Sequence, residues 1–306
     1  MDRNYRIKNG VLTKYEGPGG SVAVPKGVKA IGDYAFAGCK SLTAVVIPEG
    51  VKAVGDHAFD GCANLACVDL PKSAAAIGDY AFCGCKSLTA IVIPEGAAVV
   101  GVSALEGCQN LAAAVLPKSA ILIDESAFAF CKSLTRLVIP EGVRAIESKA
   151  FWGCEGLTDL VLPESAAQIG AWAFFGCKSL RSVALPKRVK RIGKSVFGDC
   201  RPALVAPHIP IDQFCTEDKP GAVCGFAKAW AANMAMEEQT RAGYLRYVKR
   251  QKKRLYPLAL QHEELLALML EEKISSQKDI ELFLEECSKQ RNEAAKENAL
   301  DDINRV

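Results

Sequence analysis

A phrase of 23 residues recurs from residue 30 to about residue 209. Starting at Ala30, Ala53, Ala76, Val99, Leu122, Ala145, Gln168 and Arg191, the same order of apolar, glycine and cysteine positions returns eight times. Several columns agree at once. Ile31, Val54, Ile77, Val100, Ile123, Ile146, Ile169 and Ile192 form one; Phe36, Phe59, Phe82, Leu105, Phe128, Phe151, Phe174 and Phe197 form another. Leu42, Leu65, Leu88, Leu111, Leu134, Leu157 and Leu180 form a third. A unit this short cannot bury its own Leu, Ile and Phe, so it must stack on copies of itself, and a constant period of this size predicts a solenoid.

Within one coil, "LTAVVIP" alternates as a short strand, with Leu42, Val45 and Ile47 inward and Ala44 and Val46 outward. Pro48 closes it, having no N–H for a ladder. "GDYAFAGC" then turns the chain: Gly32 is expected to permit a tight bend and Asp33 to cap one short helical turn. Residues 1–29 read as a cap, with a β-hairpin around Asn9-Gly10 and a first strand in "SVAVP". Residues 30–209 are the solenoid and residues 210–306 a helical domain.

The run A-F-x-G-C-x-x-L-x-x-V-x-I-P at Ala35–Pro48, repeated at Ala81–Pro94, resembles the BspA-type leucine-rich repeat, leucine-rich repeat family five. The resemblance covers residues 5 to about 205. It implies an α/β solenoid: a right-handed leucine-rich-repeat superhelix with a parallel β-sheet on its concave face, here followed by a small all-α helical region. Such proteins are mostly bacterial, displayed on the cell surface or secreted, and bind other proteins; the resemblance implies no catalysis. The opening "MDRNYRIKNG" has no apolar core of a signal peptide, and no lipid anchor motif follows. The chain as written is therefore expected to be cytoplasmic, and a surface or secreted location is expected only if a leader has been trimmed.

Eight of the 13 cysteines fall in one column, Cys39, Cys62, Cys85, Cys108, Cys131, Cys154, Cys177 and Cys200. Stacked coils set equivalent residues about 4.8 Å apart with parallel Cβ vectors, unlike the roughly 3.8 Å convergent Cβ pair of a disulfide. A straight column also does not converge on a tetrahedral metal. The thiols are expected to be buried filler, with no metal and no cofactor, and free thiols suit a reducing compartment. Cys67 and Cys83 lie outside the column without a histidine partner.

Outward strand positions define the candidate binding face. One column contains Arg136 and Asp159; its neighbour runs Val46, Asp69, Val92, Val115, Val138, Val161. A row of exposed valines is a candidate interaction strip. On the turn side, Phe130, Trp152, Trp172 and Phe175 replace smaller or polar residues and are candidate docking aromatics. Glu49, Lys72, Glu95, Lys118, Glu141, Glu164 and Lys187 nearly alternate in sign, a 46-residue period over the 23, and are expected to pair charges between coils.

Beyond Pro210 the pattern turns helical, with Pro220 at a helix start, a helix ending at Tyr256-Pro257, a Ser276 cap and a final polar helix in "NEAAKENALDDINRV". Lys249, Arg250, Lys252, Lys253 and Arg254 form a basic run that reads as a solvated, partly salt-bridged helix face. Net charge is only +3 and no apolar stretch reaches membrane-span length, so neither nucleic acid nor membrane insertion is expected. No nucleophile–base pair or phosphate loop is present, so no catalytic residue is named. The expected function is a non-enzymatic scaffold that presents the repeat surface to a protein partner. The alternatives are a structural or self-associating module and, more remotely, weak nucleic-acid binding by the helical tail.

Overall fold

A computed structural model describes residues 4–200, 203–205, 209–214, 216–232 and 234–283. The repeats form a parallel-sheet solenoid. Strands β1 (Tyr5–Lys8) and β2 (Val11–Tyr15) make the expected hairpin, with Asn9 and Gly10 both at positive φ. That is the backbone a two-residue turn requires. β2 then pairs in parallel with Ala30–Ile31. From there a continuous sheet runs through the two-residue strands of all eight coils, ending at Arg191–Ile192. Phe36, Phe59 and Phe82 stack at 4.8 and 5.1 Å, and Phe128, Phe151, Phe174 and Phe197 at 5.2 to 5.5 Å. The cap joins this spine, since Tyr15 stacks on Phe36 at 5.1 Å.

The turns differ from expectation in two ways. No helical turn forms after Asp33; the segment is a run of turns, and the Asp33 carboxylate accepts the backbone N–H of Asp56 in the next coil at 2.9 Å. Asp56 and Asp79 repeat this toward Asp79 and Val102. The preceding glycine is required by close approach rather than by bending. A Cβ at Gly55 would lie 2.3 Å from Asp33 Oδ1 and 2.8 Å from Asp33 N. Stacking, not local propensity, selects both residues.

The strands of the second face, opening with β3 (Gly20–Ala23), hold a finer order. β3 pairs with Leu42–Val46, which pairs with Cys67–Asp69; beyond that the ladders join coils only in twos. Ala90–Val92 pairs with Ala113–Val115, Arg136–Val138 with Asp159–Val161, and Ser182–Ala184 with Ala203–Val205. The 46-residue period accounts for the first three pairings, though not through ion pairs. Glu49 accepts the backbone N–H groups of Lys72 and Ser73, Glu95 that of Lys118, and Glu141 that of Glu164. In return Ser73, Ser119 and Ser165 donate to the carbonyls of Val51, Ala97 and Val143. No ion pair joins this charged column among the described residues. Between pairs no glutamate makes this bond, and the glycine of one coil packs directly on the backbone of the coil before it: a Cβ at Gly142 would lie 2.6 Å from Ala120 O. The pairs headed by Glu49, Glu95 and Glu141 are thus two-coil units stitched by side chains.

Excision tests that unit. Removing residues 76–121 deletes two coils and keeps the alternation, whereas removing residues 76–98 sets one Lys-Ser coil on another. The shorter deletion removes Glu95 and takes the carboxylate acceptor from the exposed Lys118 N–H, a loss of about 1–2 kcal/mol at one interface. Urea unfolding should be a single transition for the 46-residue deletion, with a lower midpoint or a split transition for the 23-residue one. The reverse order would refute pairing.

The helical region closes the far end. Helix α1 (Lys219–Ala231) packs on Ala203–Val205, followed by α2 (Glu238–Ala259) and α3 (Glu263–Glu271). Pro220 sits in the first turn of α1 as expected. α2 passes through Pro257 and ends two residues later than the sequence suggested, because a proline in a last turn forfeits only one helical bond. Phe226 stacks on buried Tyr244 at 4.6 Å. The Ser276 cap is reciprocal with Asp279, whose N–H donates to Ser276 Oγ at 3.1 Å while its carboxylate accepts the Ser276 N–H at 2.9 Å. The final polar helix and His208 lie outside the described residues.

In every coil but the last, the N–H at the phenylalanine position donates to a carbonyl of the following coil, as Phe174 does to Val196 O at 2.9 Å. The last coil has no successor. There the Asp218 carboxylate, 2 % exposed, accepts the N–H of Val196 and of Phe197, each at 3.1 Å. Asp218 precedes α1, but its side chain makes no cap bond to that helix. A carboxylate stands in for the missing ninth coil.

Candidate interaction surfaces

The valine column is where alternation placed it. Val46, Val92, Val115, Val138 and Val161 are 47 to 61 % exposed, while Val45, Ile91, Leu137 and Leu160 between them are buried. Val92 and Val115 are register partners, as are Val138 and Val161. Val46 faces Asp69, which is exposed and interrupts the strip between coils one and three. Arg136 and Asp159 are also register partners. No ion pair joins them; Asp159 accepts the Thr158 hydroxyl at 3.0 Å instead. Both charges stay available beside an apolar strip.

The four candidate aromatics separate into three and one. Phe130, Trp152 and Phe175 form a run of rings, at 5.2 Å and then 6.3 Å edge-on. Phe130 occupies the column of Gly38, Gly61, Gly84, Gly107, Gly153 and Gly176 and shares their left-handed backbone at φ +59°. A bulky side chain is strained there. Its ring lies over Gly153, where a Cβ would come within 2.7 Å of Phe130 Cδ1, and the Phe175 ring covers Gly198 in the same way. These half-buried rings shield glycine backbone. Trp172 sits apart, in the column of Tyr34, His57 and Tyr80, whose rings stack at 4.6 and 4.7 Å.

The cysteine column does more than fill space. Each thiol from Cys62 to Cys200 donates to the carbonyl at the phenylalanine position of the preceding coil: Cys62 to Phe36 O at 3.0 Å, Cys154 to Phe128 O at 3.1 Å. Cys85, Cys108, Cys131, Cys177 and Cys200 follow the same rule. Burial pushes the thiols of Cys62, Cys108 and Cys154 up to about 12, and those of Cys85, Cys131 and Cys177 well above their ordinary value. Cys83 rises to about 11, first through burial and then through Asp60 and Glu106. A protonated thiol is a poor nucleophile and metal ligand. Among the described residues the cysteines are unpaired, and no three metal-ligating side chains converge.

In the helical region, Lys252 pairs with Asp279 at 3.7 Å and Arg241 with Glu272 at 3.3 Å. Arg250 and Arg254 of the basic run, together with Arg246, instead line a groove. Sequence reading grouped the run by adjacency and missed Arg246; the i, i+4, i+8 spacing was the available signal. No described helix is long and apolar enough to cross a membrane.

The BspA type Leucine rich repeat region matches residues 16–135 and 121–210, in six copies. Among solved structures the fold is similar to a T. pallidum leucine-rich repeat protein, at 34% identity and TM-score 0.56, covering 59% of this chain and 89% of that one. It is also similar to a leucine-rich repeat protein from Bacteroides ovatus, at 26% identity and TM-score 0.50, covering 64% and 62% of the two chains. No curated protein matches the sequence. With its columns, its parallel coils and this match over most of its length, the chain belongs to the BspA-type leucine-rich repeat family.

Proposed function

We propose that this protein is a non-enzymatic scaffold that holds a protein partner along its valine strip. The observation that carries this reading is the run of Val92, Val115, Val138 and Val161 on four successive coils, each more than half exposed. Across those coils the strip spans roughly 15 Å, at about 4.8 Å per coil. Covering the exposed half of each valine contributes about 1 kcal/mol, enough for an apolar anchor. Arg136 and Asp159 beside it supply opposite charges for orientation. The unpaired, protonated cysteine ladder suits a reducing compartment.

Substituting Val115→Lys together with Val138→Lys should abolish capture of the partner from a lysate of the source organism. Thermal unfolding should stay within about 0.5 kcal/mol of the parent, since both side chains are on the surface. An unchanged set of captured proteins would remove the strip as the binding face. Light scattering examines the self-associating alternative: a dimer dispersed by the same two substitutions would make a second copy the occupant.

A further inference from the structure

We propose that the groove between the start of α1 and α2 binds a small ligand bearing two or more phosphoryl groups. The groove has a volume of about 870 Å³, within the range of small-ligand sites. Arg246, Arg250 and Arg254 follow one another along its α2 wall, and Lys219 of α1 faces them. Successive arginines on this stripe rise about 6 Å along the helix.

These three guanidiniums make no ion pair and no hydrogen bond among the described residues. Two other cations of the same helix are neutralised, Arg241 by Glu272 and Lys252 by Asp279, while Lys249 and Lys253, outside the groove, make no ion pair among the described residues. Asp212 and Glu237 also line the groove but do not reach ion-pair distance of the stripe. Like charges four residues apart oppose helix formation, so an unneutralised row of three is a destabilising arrangement that a bound polyanion would relieve. A guanidinium presents a rigid fork of donors suited to phosphoryl oxygens, and three such forks on one wall suit a ligand with more than one phosphoryl group.

The lining disfavours single-stranded nucleic acid. Its one aromatic is Tyr247, and the Lys219 ammonium already stands over that ring, 5.7 Å from the centroid. A single ring with a cation over it is not a run of aromatics on which successive bases could stack.

The test is thermal unfolding of the full chain in sodium tripolyphosphate, with sodium chloride at matched ionic strength as the control. A ligand that binds only the native state raises the midpoint with its concentration. The parent should show this rise in tripolyphosphate beyond the chloride control. The triple variant Arg246→Gln, Arg250→Gln, Arg254→Gln should unfold no lower than the parent without ligand and should lose the rise. Calorimetric titration should show binding weakened at least 100-fold in the variant, and orthophosphate binding the parent at least tenfold more weakly than tripolyphosphate. An equal rise in chloride, an equal rise in the variant, or none in the parent at millimolar tripolyphosphate would overturn the assignment. So would binding of an oligothymidylate or of polyglutamate by a protein silent to tripolyphosphate. Co-sedimentation with vesicles containing phosphatidylinositol bisphosphate, blocked by tripolyphosphate, would identify a lipid headgroup as the source. Tripolyphosphate binding without sedimentation would identify a free ligand.

Discussion

Between pH 9 and pH 12 this protein is expected to lose its fold in a steep, cooperative step driven by its cysteines. The thiols of Cys62, Cys108, Cys154 and Cys224 have an ordinary value of 9.0 and are held up to about 12 in the folded chain, in each case chiefly by burial. A folded value above the unfolded one means that the neutral form stabilises the native state. That stability is fully present below pH 9 and falls as the pH climbs toward 12, because only the unfolded chain can release the protons. Each such thiol removes about 1.4 kcal/mol per pH unit in that window. Four of them withdraw roughly 5 kcal/mol by pH 10, comparable with the whole stability of an ordinary domain. Stability from urea unfolding at pH 8, 9 and 10 should therefore fall with a slope that steepens from about one proton to about three for these four thiols, and thiolate absorbance should appear only together with loss of circular dichroism. Thiolate appearing while the fold persists would show that the ladder is open to solvent.

The second large effect is at the seam between solenoid and helices. Asp218→Ala removes both acceptors from the N–H groups of Val196 and Phe197 in a site that water does not reach. Two stranded donors, each formerly in a charge-assisted bond, correspond to a loss of about 3–5 kcal/mol. Asp218→Asn keeps one acceptor oxygen and should lose about half as much. The denaturant midpoint gives the first reading. Hydrogen exchange localises it: the amides of Val196 and Phe197 should become the fastest-exchanging of their columns, while those of Phe36 and Phe59 stay protected. Uniform protection in the alanine variant would mean that the end of the stack is closed by packing alone.

The sequence exposes most of this architecture because the same contact is written again and again. A residue and its counterpart 23 positions on are spatial neighbours, so columns such as Phe128, Phe151 and Phe174 disclose the packing directly. The valines were legible on the same ground: period-two alternation fixes which side of a strand faces water. The alternation from Glu49 to Lys187 was equally visible, yet its chemistry was misread. Sequence shows charges in register and not that a glutamate reaches past the neighbouring lysine to its backbone N–H, which is fixed in place and needs a partner. Asp33 was misread likewise, since a helix cap and a bond to the next coil call for the same short carboxylate.

Periodic order, then, was already written in the residues: parallel coils, an aromatic spine, a buried thiol column and an apolar outer strip. Contacts made once are settled by the folded chain alone. Asp218 lies one coil length beyond Val196 and Phe197, at the place a ninth coil would begin, and only the end of the stack turns it into an acceptor. Arg246, Arg250 and Arg254 share a helix face by spacing, but only the fold sets Glu272 against Arg241 and Asp279 against Lys252 and turns those three toward a groove. Repetition records a neighbour in the sequence because each neighbour is a copy of the coil beside it. A single junction between unlike parts has no copy, and its partners are found only where the chain brings them together.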